Sequence, residues 1–389
     1  MDRFATNVLL FMEQEDMKAM RNGAIRYCTV AEAGPDNPRN DTASVVQLKD
    51  GRLLLAWHKY EDNIEGGSDF GLCRIHAKIS RDDGITWGEE TLLVDVEPGD
   101  HNVQAPGLTR LPSGELMLHC VRGHHGGSSA TMCLFRSSDE GKTWSDAGTI
   151  WNRSDGQWIQ GGANQMNVLS SSRLLLPFHF GTGHQGSQHN TVACYLSDDE
   201  GYSWRRSSGT VNLPMRGAME ASVAELPSGQ LIMSLRTQLG SVFLSFSDDS
   251  GETWSLPQTS GLKAPESCSC LRLIPGTNNL VLFYNNSCYD PARHHYGLRT
   301  PLTAAISRDG GITWEKVGDI ETGPFEFMNL NCTFTTSGKA LLTYTKVEDP
   351  QITQQDISLP FQRTGMDLML ANIERGWFGD HYLTKEGLR

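Results

Sequence analysis

The sequence predicts an all-β protein, a six-bladed β-propeller forming a single domain over residues 1–389. Three observations support this prediction: an octapeptide that recurs five times, a strand–turn–strand unit that recurs six times, and little helical periodicity outside residues 13–21. A period of about 50–60 residues, with roughly four strands in each repeat, is typical of propeller blades.

The octapeptide has the pattern Ser-x-Asp-x-Gly-x-(Thr/Ser)-Trp, and its copies start at intervals of 57, 60, 50 and 60 residues. In such a turn the Asp accepts hydrogen bonds from nearby backbone, the Gly takes a positive φ, and the Trp covers the loop. Because an active site does not need five copies of one motif, we interpret the unit as a structural turn on the outer rim, between the third and fourth strands of a blade. Its five aspartates are therefore excluded from catalysis: Asp82, Asp139, Asp199, Asp249 and Asp309.

The strand–turn–strand unit is a β-rich run, a polar turn that usually contains Gly, and a second apolar run, which together indicate a hairpin. Six copies predict six blades, and the first five lead into an octapeptide. We expect residues 366–373 to close the last blade by pairing with a strand near residues 24–33, so that the N-terminal segment 1–38 supplies the closing strand. The six copies occupy residues 44–57, 107–120, 167–178, 221–235, 269–284 and 331–345.

Charge and composition narrow the classes of partner. A net charge of −13 argues against nucleic acid and against anionic membranes, because phosphate binding needs clustered Lys and Arg. The N-terminal apolar run, residues 8–12, is too short for a secretory signal or a membrane span. Nine cysteines without metal-type spacing predict reduced thiols in a cytoplasmic protein. We expect no cofactor and no metal, and an oligomer is left open.

In a propeller the innermost strands surround the axis, and a ligand binds at one mouth of the channel. Polar side chains stand where the predicted inner strands begin and where the second strands end, although a scaffold-only propeller can keep such positions apolar or small. They predict a small, polar, hydroxyl-rich ligand. Prominent among them are Arg39, Asp41, His58, Gln104, His124, His179, Glu220, Arg236, Glu266 and Asn329.

Some of these residues have a purely structural interpretation. Glu220 and Arg236 lie inside apolar strand patterns, where a charge is costly unless it is paired, so a structural ion pair between them is the alternative to a functional role. A metal cluster is the alternative for five histidines, although their spacing fits no zinc template. These are His124, His125, His179, His184 and His189.

The octapeptides, together with residues 219–255 and 299–314, resemble the sialidase superfamily in its BNR-repeat (Asp-box) branch, over roughly residues 39–346. Sialidases hold the substrate carboxylate with three arginines, whose planar, permanently charged forks suit that group. The resemblance implies Arg236 and Arg299 as the second and third of these arginines. Arg39 is a looser match to the first.

The resemblance also implies an acid and a base. The acid/base Asp of the family lies before the first Asp box, where Asp69 fits, with Glu61, Asp62 and Glu65 as local rivals. The Glu that polarises the nucleophile of the family matches Glu220.

The nucleophile is where this sequence departs from the family. Sialidases use a Tyr in the inner strand of the last blade, and counting forward from Arg299 places that position on Phe327, which has no oxygen. Either a Tyr of blade five reaches in, or Glu220 acts directly, or the chemistry has diverged. The candidate tyrosines are Tyr296, Tyr284 and Tyr289.

Four hypotheses follow, of which the last, a purely structural interaction propeller, has the charges in the apolar strands against it. The leading one is a sialidase-like glycosidase that acts on a small carbohydrate bearing a carboxylate. In it Asp69 is the general acid, with its pKa raised by the pocket, and Glu220 is the base or activator. The second is a lyase or isomerase of an acidic sugar, and the third is a non-catalytic sugar-binding propeller. The residues expected to contact the sugar are Arg39, Arg236, Arg299, His58, Gln104, His124 and His179, with Tyr296 as a further catalytic candidate.

Overall fold

The structure, a computed structural model, confirms the predicted all-β, six-bladed propeller. Within the described residues, antiparallel strands form six sheets, and strands of successive sheets contact one another around the ring. The described residues are 24–61, 69, 71–125, 129–151, 158–161, 166–182, 189–293, 297–349 and 365–379.

Blades one to five each follow the chain from the inner to the outer strand, whereas blade six also uses the first strand, β1 (Ile25–Ala31). Blade one consists of β2 (Arg39–Gln47), β3 (Leu53–Tyr60), β4 (Cys73–Ser80) and β5 (Thr91–Val94). Blade two consists of β6 (Asp100–Arg110), β7 (Leu116–His124), β8 (Ala130–Ser137) and β9 (Ser145–Trp151). Blade three consists of β10 (Trp158–Gly161), β11 (Asn167–Val168), β12 (Leu174–Thr182), β13 (His189–Ser197) and β14 (Arg205–Arg206).

The second half of the ring repeats this order. Blade four consists of β15 (Met219–Glu225), β16 (Leu231–Arg236), β17 (Ser241–Ser247) and β18 (Gln258–Lys263). Blade five consists of β19 (Cys270–Leu273), β20 (Leu280–Asn285), β21 (Leu302–Ser307) and β22 (Glu315–Glu321). Blade six consists of β23 (Phe325–Phe334), β24 (Ala340–Glu348), β25 (Asp367–Ile373) and β1, which pairs antiparallel with β25.

The second strand of each blade begins with an apolar run of at least three residues, because both of its faces are covered by neighbouring blades. Between blades one and two, for example, Leu54 and Ala56 of β3 pack against Leu116 and Leu118 of β7, and all four are buried. Burying one such leucine contributes about 1.5–3 kcal/mol. The last element of the described residues is a short 3-10 helix, Arg375–Phe378, which follows β25.

Hydrogen bonds between inner strands close the ring. Ser44 Oγ of β2 accepts from the backbone N–H of Leu108 in β6 at 2.9 Å, and Asn331 Nδ2 of β23 donates to Ala43 O at 2.8 Å. These bonds join blades one and two and blades six and one. The beginnings of the inner strands therefore gather at one mouth of the channel.

The octapeptide loops join the third and fourth strands and are held by bonds within each loop. In the first, Ser80 Oγ accepts from Gly84 N at 2.9 Å, while Asp82 accepts from the N–H of Thr86 at 2.9 Å and from its hydroxyl at 2.6 Å. The hydroxyl and backbone bonds of Thr86 lower the pKa of Asp82. Equivalent bonds hold the loops that begin at Ser137, Ser197, Ser247 and Ser307.

Two further observations concern the cysteines and the helices. All nine cysteines are free thiols, and seven of them are buried. Among the described residues no helix has the length and apolar character needed to cross a membrane.

His119 of β7 is a buried histidine outside the mouth. It lies opposite Gly107, where an added Cβ would sit 1.9 Å from the imidazole Cε1. Within the described part of the chain neither ring nitrogen has a hydrogen-bond partner. Burial lowers the pKa of His119 to about 4. The folded state therefore favours the neutral ring.

Replacing His119 with leucine should flatten the pH dependence of stability. Between about pH 6.5 and pH 4 the unfolded chain binds the histidine proton more strongly, so the free energy of unfolding falls as pH falls. One such group contributes a slope of about 1.4 kcal/mol per pH unit inside that window, and His119→Leu should remove it. Urea unfolding at pH 4.5, 5.5 and 6.5 measures the slope, and parallel slopes for the two proteins would contradict this account.

Candidate active site

β-Bulges near the beginnings of four inner strands shape the mouth. The strand register shifts in β2, β6, β15 and β23, and at one shift in each strand a residue other than glycine takes a positive φ. Such backbone costs on the order of 1–3 kcal/mol and re-aims side chains, and it is concentrated at functional sites. The four residues are Thr42 (43°), Ala105 (56°), Glu220 (39°) and Asn329 (55°).

Arg39 anchors one half of the mouth. Its Nε donates to Asp41 Oδ2 at 2.8 Å and its Nη2 donates to the same oxygen. Its Nη1 donates to Asp69 Oδ1 at 2.8 Å, and the guanidinium carbon lies 4.6 Å from the centre of the Tyr60 ring. Three nitrogens of this guanidinium are therefore committed to two carboxylates.

Asp41 is fully buried and bonded on several sides. Its Oδ1 accepts from the amide of Asn329 and, at 2.8 Å, from the hydroxyl of Thr345. Burial is the largest influence and raises the pKa, but Arg39, His58 and the two hydrogen bonds outweigh it and lower the pKa of Asp41 to about 2. This carboxylate stays ionised and orients Arg39.

Asp69 is the exposed member of this half, with 46% of its side chain accessible. Its carbonyl oxygen accepts from Asn102 Nδ2 at 2.9 Å, and Asn102 Oδ1 is 3.4 Å from Gln104 Nε2. The structure thus brings Asp69, Arg39 and Gln104 to one mouth. Of the rival acids, Glu61 pairs with Arg74, while Asp62 and Glu65 lie outside the described residues.

His58 and His179 each accept a hydrogen bond from the backbone of a bulge, in different blades. His58 Nδ1 accepts from the bulge N–H of Ala105 at 3.2 Å, and His179 Nδ1 accepts from the bulge N–H of Glu220 at 3.3 Å. Burial, the largest cause, lowers the pKa of each histidine to about 4. Both rings are neutral at pH 7 and support the bulges.

Glu220 and Arg236 form an ion pair in the other half of the mouth. Glu220 Oε2 accepts from Arg236 Nη1 at 2.8 Å. Burial by itself raises the pKa of Glu220, but Arg236, His179 and Arg299 together lower it. The pair predicted from the apolar strand pattern is therefore present, and it is continuous with a larger cluster.

Glu266 is the centre of that cluster and is completely buried. Its Oε1 accepts from Arg236 Nη2 at 2.9 Å and also from Arg216 Nη1, and its Oε2 accepts from Gln238 at 2.6 Å. Its backbone carbonyl accepts from Arg299 Nη2 at 3.1 Å. Arg236 and Arg299, predicted from separate motifs, thus meet at one residue.

Strand β23 connects the two halves. Asn329 of this strand bonds to Asp41, and three residues earlier Glu326 Oε1 accepts from the backbone N–H of Arg299 at 3.2 Å. Glu326 is buried, and burial raises its pKa to about 7 against the opposing influence of Arg299. A carboxyl group that changes charge near neutral pH therefore lies beside Arg299.

The structure places Phe327, the residue that counting assigns to the nucleophile position, in the core. This side chain is fully buried, and its ring packs edge-on against Tyr344 in the core, with centroids 6.0 Å apart. The register shift from Met219 to Ser222 in β15 has its counterpart from Met328 to Asn331 in β23. Asn329 therefore occupies in blade six the place that Glu220 occupies in blade four. Counting residues from Arg299 missed this because the bulge inserts unpaired residues.

The candidate tyrosines fall in different surroundings. Tyr284 is buried in the core between blades, while Tyr289 is partly buried near Glu266. Burial, followed by the charge of Glu266, raises the pKa of Tyr289. Tyr296 lies outside the described residues, so its role stays a prediction.

His124 belongs to a separate network. Its Nδ1 is 2.8 Å from Asp100 Oδ1 and its Nε2 is 2.8 Å from the Thr131 hydroxyl, and Asp100 also pairs with Arg122. His124 therefore bonds within blade two and does not contact Arg39, Arg236 or Arg299 through these bonds. Among the described residues no group of three or more His, Cys, Asp or Glu is arranged to hold a metal ion.

Sequence reasoning did not single out Arg216 or Glu326. Glu326 could have been found, because an acid inside the apolar run Phe-Glu-Phe-Met is the same anomaly that marked Glu220. Arg216 stands in a loop, where an arginine is ordinary. Its partner Glu266 is 50 residues away, and no pattern in the sequence links the two.

The mouth is electrostatically divided. On one side Arg39 faces two carboxylates, Asp41 and Asp69. On the other side three arginines lie beside three carboxyl groups, and this side carries an excess of positive charge when Glu326 is protonated. Its members are Arg216, Arg236, Arg299, Glu220, Glu266 and Glu326.

A ring of six antiparallel blades with clustered arginines and acids at one mouth defines a sialidase-type propeller. The chain belongs to the BNR repeat-like domain family, whose model matches residues 51–357. It is 26% identical over 237 residues to a protein of Bacteroides fragilis (strain YCH46) named sialidase, covering 58% of this chain and 41% of that protein. The chain thus spans less than half the length of this relative.

Solved structures share the fold. A Dyadobacter fermentans DSM 18053 protein of unknown function superposes with a TM-score of 0.68 at 18% identity, over 90% of this chain and 100% of that chain. The NanB sialidase from Streptococcus pneumoniae superposes with a TM-score of 0.69 at 13% identity, over 90% of this chain and 71% of that chain. At these identities the likeness is one of fold alone.

Proposed function

We propose that the chain is a glycoside hydrolase acting on a sugar that bears a carboxylate, a sialoside or a similar acidic glycoside. The observation that carries the proposal is the meeting of Arg236 and Arg299 at the buried Glu266, beside Glu220. Guanidinium groups suit a carboxylate because they are planar, permanently charged and able to donate two parallel hydrogen bonds. The Bacteroides fragilis relative named sialidase supports the same class of substrate.

In the proposed reaction Asp69 protonates the glycosidic oxygen and Glu220 takes a proton from the attacking group. Asp69 suits the first role because its carboxyl is half exposed at the mouth and can exchange protons there. Glu220 suits the second role because Arg236, acting against burial, lowers its pKa and keeps it ionised. The carboxylate of the sugar would lie on the positive side of the mouth.

We propose water as the attacking group. Asn329 holds the bulge position of blade six, and an Asn side chain is not among the groups that form covalent intermediates with a substrate. A pair of carboxyl groups that activates water and protonates the leaving oxygen needs no covalent intermediate.

A non-catalytic carbohydrate-binding propeller is the second candidate, and Asn329 is the observation that favours it. A site that lacks a nucleophilic oxygen at this position still offers arginines and buried polar groups to a sugar acid. Binding without turnover separates this candidate from the hydrolase.

Turnover of aryl glycosides tests the proposal. The substrates are aryl glycosides of N-acetylneuraminic, glucuronic and galacturonic acid, with an aryl glucoside as the neutral control. We expect release of the aryl alcohol from at least one acidic substrate and not from the glucoside. No release from any acidic substrate would overturn the hydrolase, and an unsaturated product absorbing in the near ultraviolet would identify a lyase instead.

Glu326 should make anion binding weaken as pH rises through about 7. Burial raises the pKa of this group to about 7, so below that pH it is neutral and leaves the charge of Arg299 to the ligand. Above it, the new carboxylate competes for Arg299. We expect the affinity of the wild type for N-acetylneuraminate to fall about tenfold from pH 6 to pH 8.

The variant Glu326→Gln keeps the acceptor for the Arg299 N–H and removes the titration. Its affinity, measured by calorimetry, should be nearly constant over the same range. Glu348→Gln, at an exposed position of the neighbouring strand β24, is the matched control and should behave as the wild type. A pH profile unchanged by Glu326→Gln would refute this assignment.

A further inference from the structure

Two contacts hold Asp69 at the mouth, one through its side chain and one through its backbone. Arg39 Nη1 donates to Asp69 Oδ1 at 2.8 Å, and Asn102 Nδ2 donates to Asp69 O at 2.9 Å. The side chain of Arg39 is 9% exposed, whereas that of Asp69 is 46% exposed. Arg39 is thus the buried member of this ion pair, and Asp69 is the member that a ligand can reach.

The guanidinium of Arg39 is itself fixed by its surroundings. Its Nε donates to Asp41 Oδ2 at 2.8 Å, its Nη2 donates to the same oxygen, and the centre of the Tyr60 ring lies 4.6 Å from its carbon. Asp41 Oδ1 in turn accepts from the amide of Asn329 and, at 2.8 Å, from the hydroxyl of Thr345. Residues of blade six therefore help to fix the side chain that holds the proposed acid in blade one.

The charge of Arg39 is balanced inside this network. Burial raises the pKa of Asp41, but Arg39 and the other partners of Asp41 outweigh burial and lower that pKa to about 2. One guanidinium and one carboxylate cancel, so the network is neutral when Asp69 carries a proton. A protonated carboxyl group still offers an oxygen to a donor, so Arg39 Nη1 can hold Asp69 in the form that an acid needs. An anion that approached Arg39 would meet the carboxylate of Asp41 on the same guanidinium.

We propose that Arg39 is a positioning residue that holds the carboxyl group of Asp69 for proton transfer, rather than a ligand of the substrate carboxylate. Arg39 occupies Oδ1 of Asp69, so the proton is carried by Oδ2. As the proton bonds to the glycosidic oxygen, its bond to Oδ2 breaks and the electron pair of that bond stays on Oδ2. The acid role of Asp69 rests on the proposed function, whereas the assignment of Arg39 rests on the contacts of its three nitrogens.

Rates on two leaving groups distinguish the two roles of Arg39. The substrates are the dinitrophenyl and methylumbelliferyl glycosides of an acidic sugar that the wild type hydrolyses. In Arg39→Gln we expect kcat on the methylumbelliferyl glycoside to fall about 10- to 100-fold, because a misplaced acid transfers its proton poorly. On the dinitrophenyl glycoside kcat should fall much less, since that alcohol needs little protonation. Loss of a ligand of the substrate carboxylate would instead raise KM for both substrates by the same factor.

A double-mutant cycle with Asp69→Asn shows whether Arg39 acts through Asp69. Asparagine has no proton to transfer, so adding Arg39→Gln to Asp69→Asn should change kcat little, and the two losses should be far from additive. Additive losses would overturn the proposal, because Arg39 would then act on another group. Arg205→Gln, at a surface arginine with 49% of its side chain exposed, is the matched control and should leave kcat and KM as in the wild type.

A second variant guards against loss of the fold, because Arg39→Gln removes the cation beside the buried Asp41. Arg39→Lys keeps a positive charge there but lacks the planar fork that reaches Asp41 and Asp69 together. It should show the same dependence on the leaving group, with a smaller loss of the free energy of unfolding in urea. Calorimetry with N-acetylneuraminate, glucuronate and galacturonate should give both variants the affinities of the wild type, which also reports that they are folded.

The remaining outcomes also decide between the two roles. Hydrolysis with equal losses of kcat on the two substrates, or with weaker binding of the acid in both Arg39 variants, overturns the positioning role and keeps the hydrolase. A wild type that hydrolyses no acidic glycoside overturns the proposed function and, with it, proton transfer from Asp69. Calorimetry then decides alone whether Arg39 is a ligand of the acid: unchanged affinity in both variants excludes it from the anion site, and a loss places it there. A wild type that binds none of the three acids removes both roles.

Discussion

Replacing Asp69 with asparagine is expected to lower kcat on an acidic aryl glycoside by about 10²- to 10⁴-fold, the range of general acid catalysis. Asparagine keeps an oxygen that can accept from Arg39 Nη1, so the loop that carries residue 69 should stay in place. What is lost is the proton for the departing oxygen. The loss should therefore appear in kcat, with KM changed little.

The leaving group offers an internal control. An aryl alcohol of low pKa needs little protonation, so Asp69→Asn should impair a dinitrophenyl glycoside less than a methylumbelliferyl glycoside. The matched variant Asp95→Asn removes a surface carboxylate that pairs with Arg74 and should leave both rates unchanged. Equal losses on the two substrates would argue that Asp69 does not act as the acid.

Replacing Glu266 with glutamine is expected to lower the free energy of unfolding by about 3–5 kcal/mol. The carboxylate is completely buried and is the shared partner of Arg216 and Arg236. Without its charge, two guanidinium groups remain in a buried site with one carboxylate, Glu220, between them. Urea unfolding monitored by tryptophan fluorescence measures the change.

The matched control for this variant is Glu315→Gln. Glu315 pairs with Arg308 on the surface, with 71% of its side chain exposed, and such a pair contributes about 0–1 kcal/mol. A loss in Glu266→Gln no larger than that in the control would mean that the three-arginine cluster does not depend on its buried carboxylate. The positive side of the mouth would then need another explanation.

The fold could be predicted from the sequence because the patterns that determine it are local and repeated. Each second strand begins with an apolar run, as in Leu53–Trp57, since it is covered on both faces by neighbouring blades. Each polar turn joins the two strands of a hairpin, and six hairpins give six blades. Repetition makes such a reading robust, because an error in one copy does not change the number of blades.

The site was accessible only in part. Arg236 and Glu220 could be found because a charge inside an apolar strand is conspicuous, and their ion pair is present at 2.8 Å. Asn329 could not be placed by counting, because a bulge in β23 shifts which side chain reaches the mouth. Arg216 depends on contacts across blades, and no local pattern marks it.

The central claim is that the positive side of this mouth binds the carboxylate of a sugar, and a crystal structure of Asp69→Asn with a bound acidic sugar tests it most directly. The account predicts that the carboxylate lies against Arg236 and Arg299, with the anomeric carbon turned toward residue 69. A sugar whose carboxylate contacts neither Arg236 nor Arg299, or that binds away from this mouth, would contradict it.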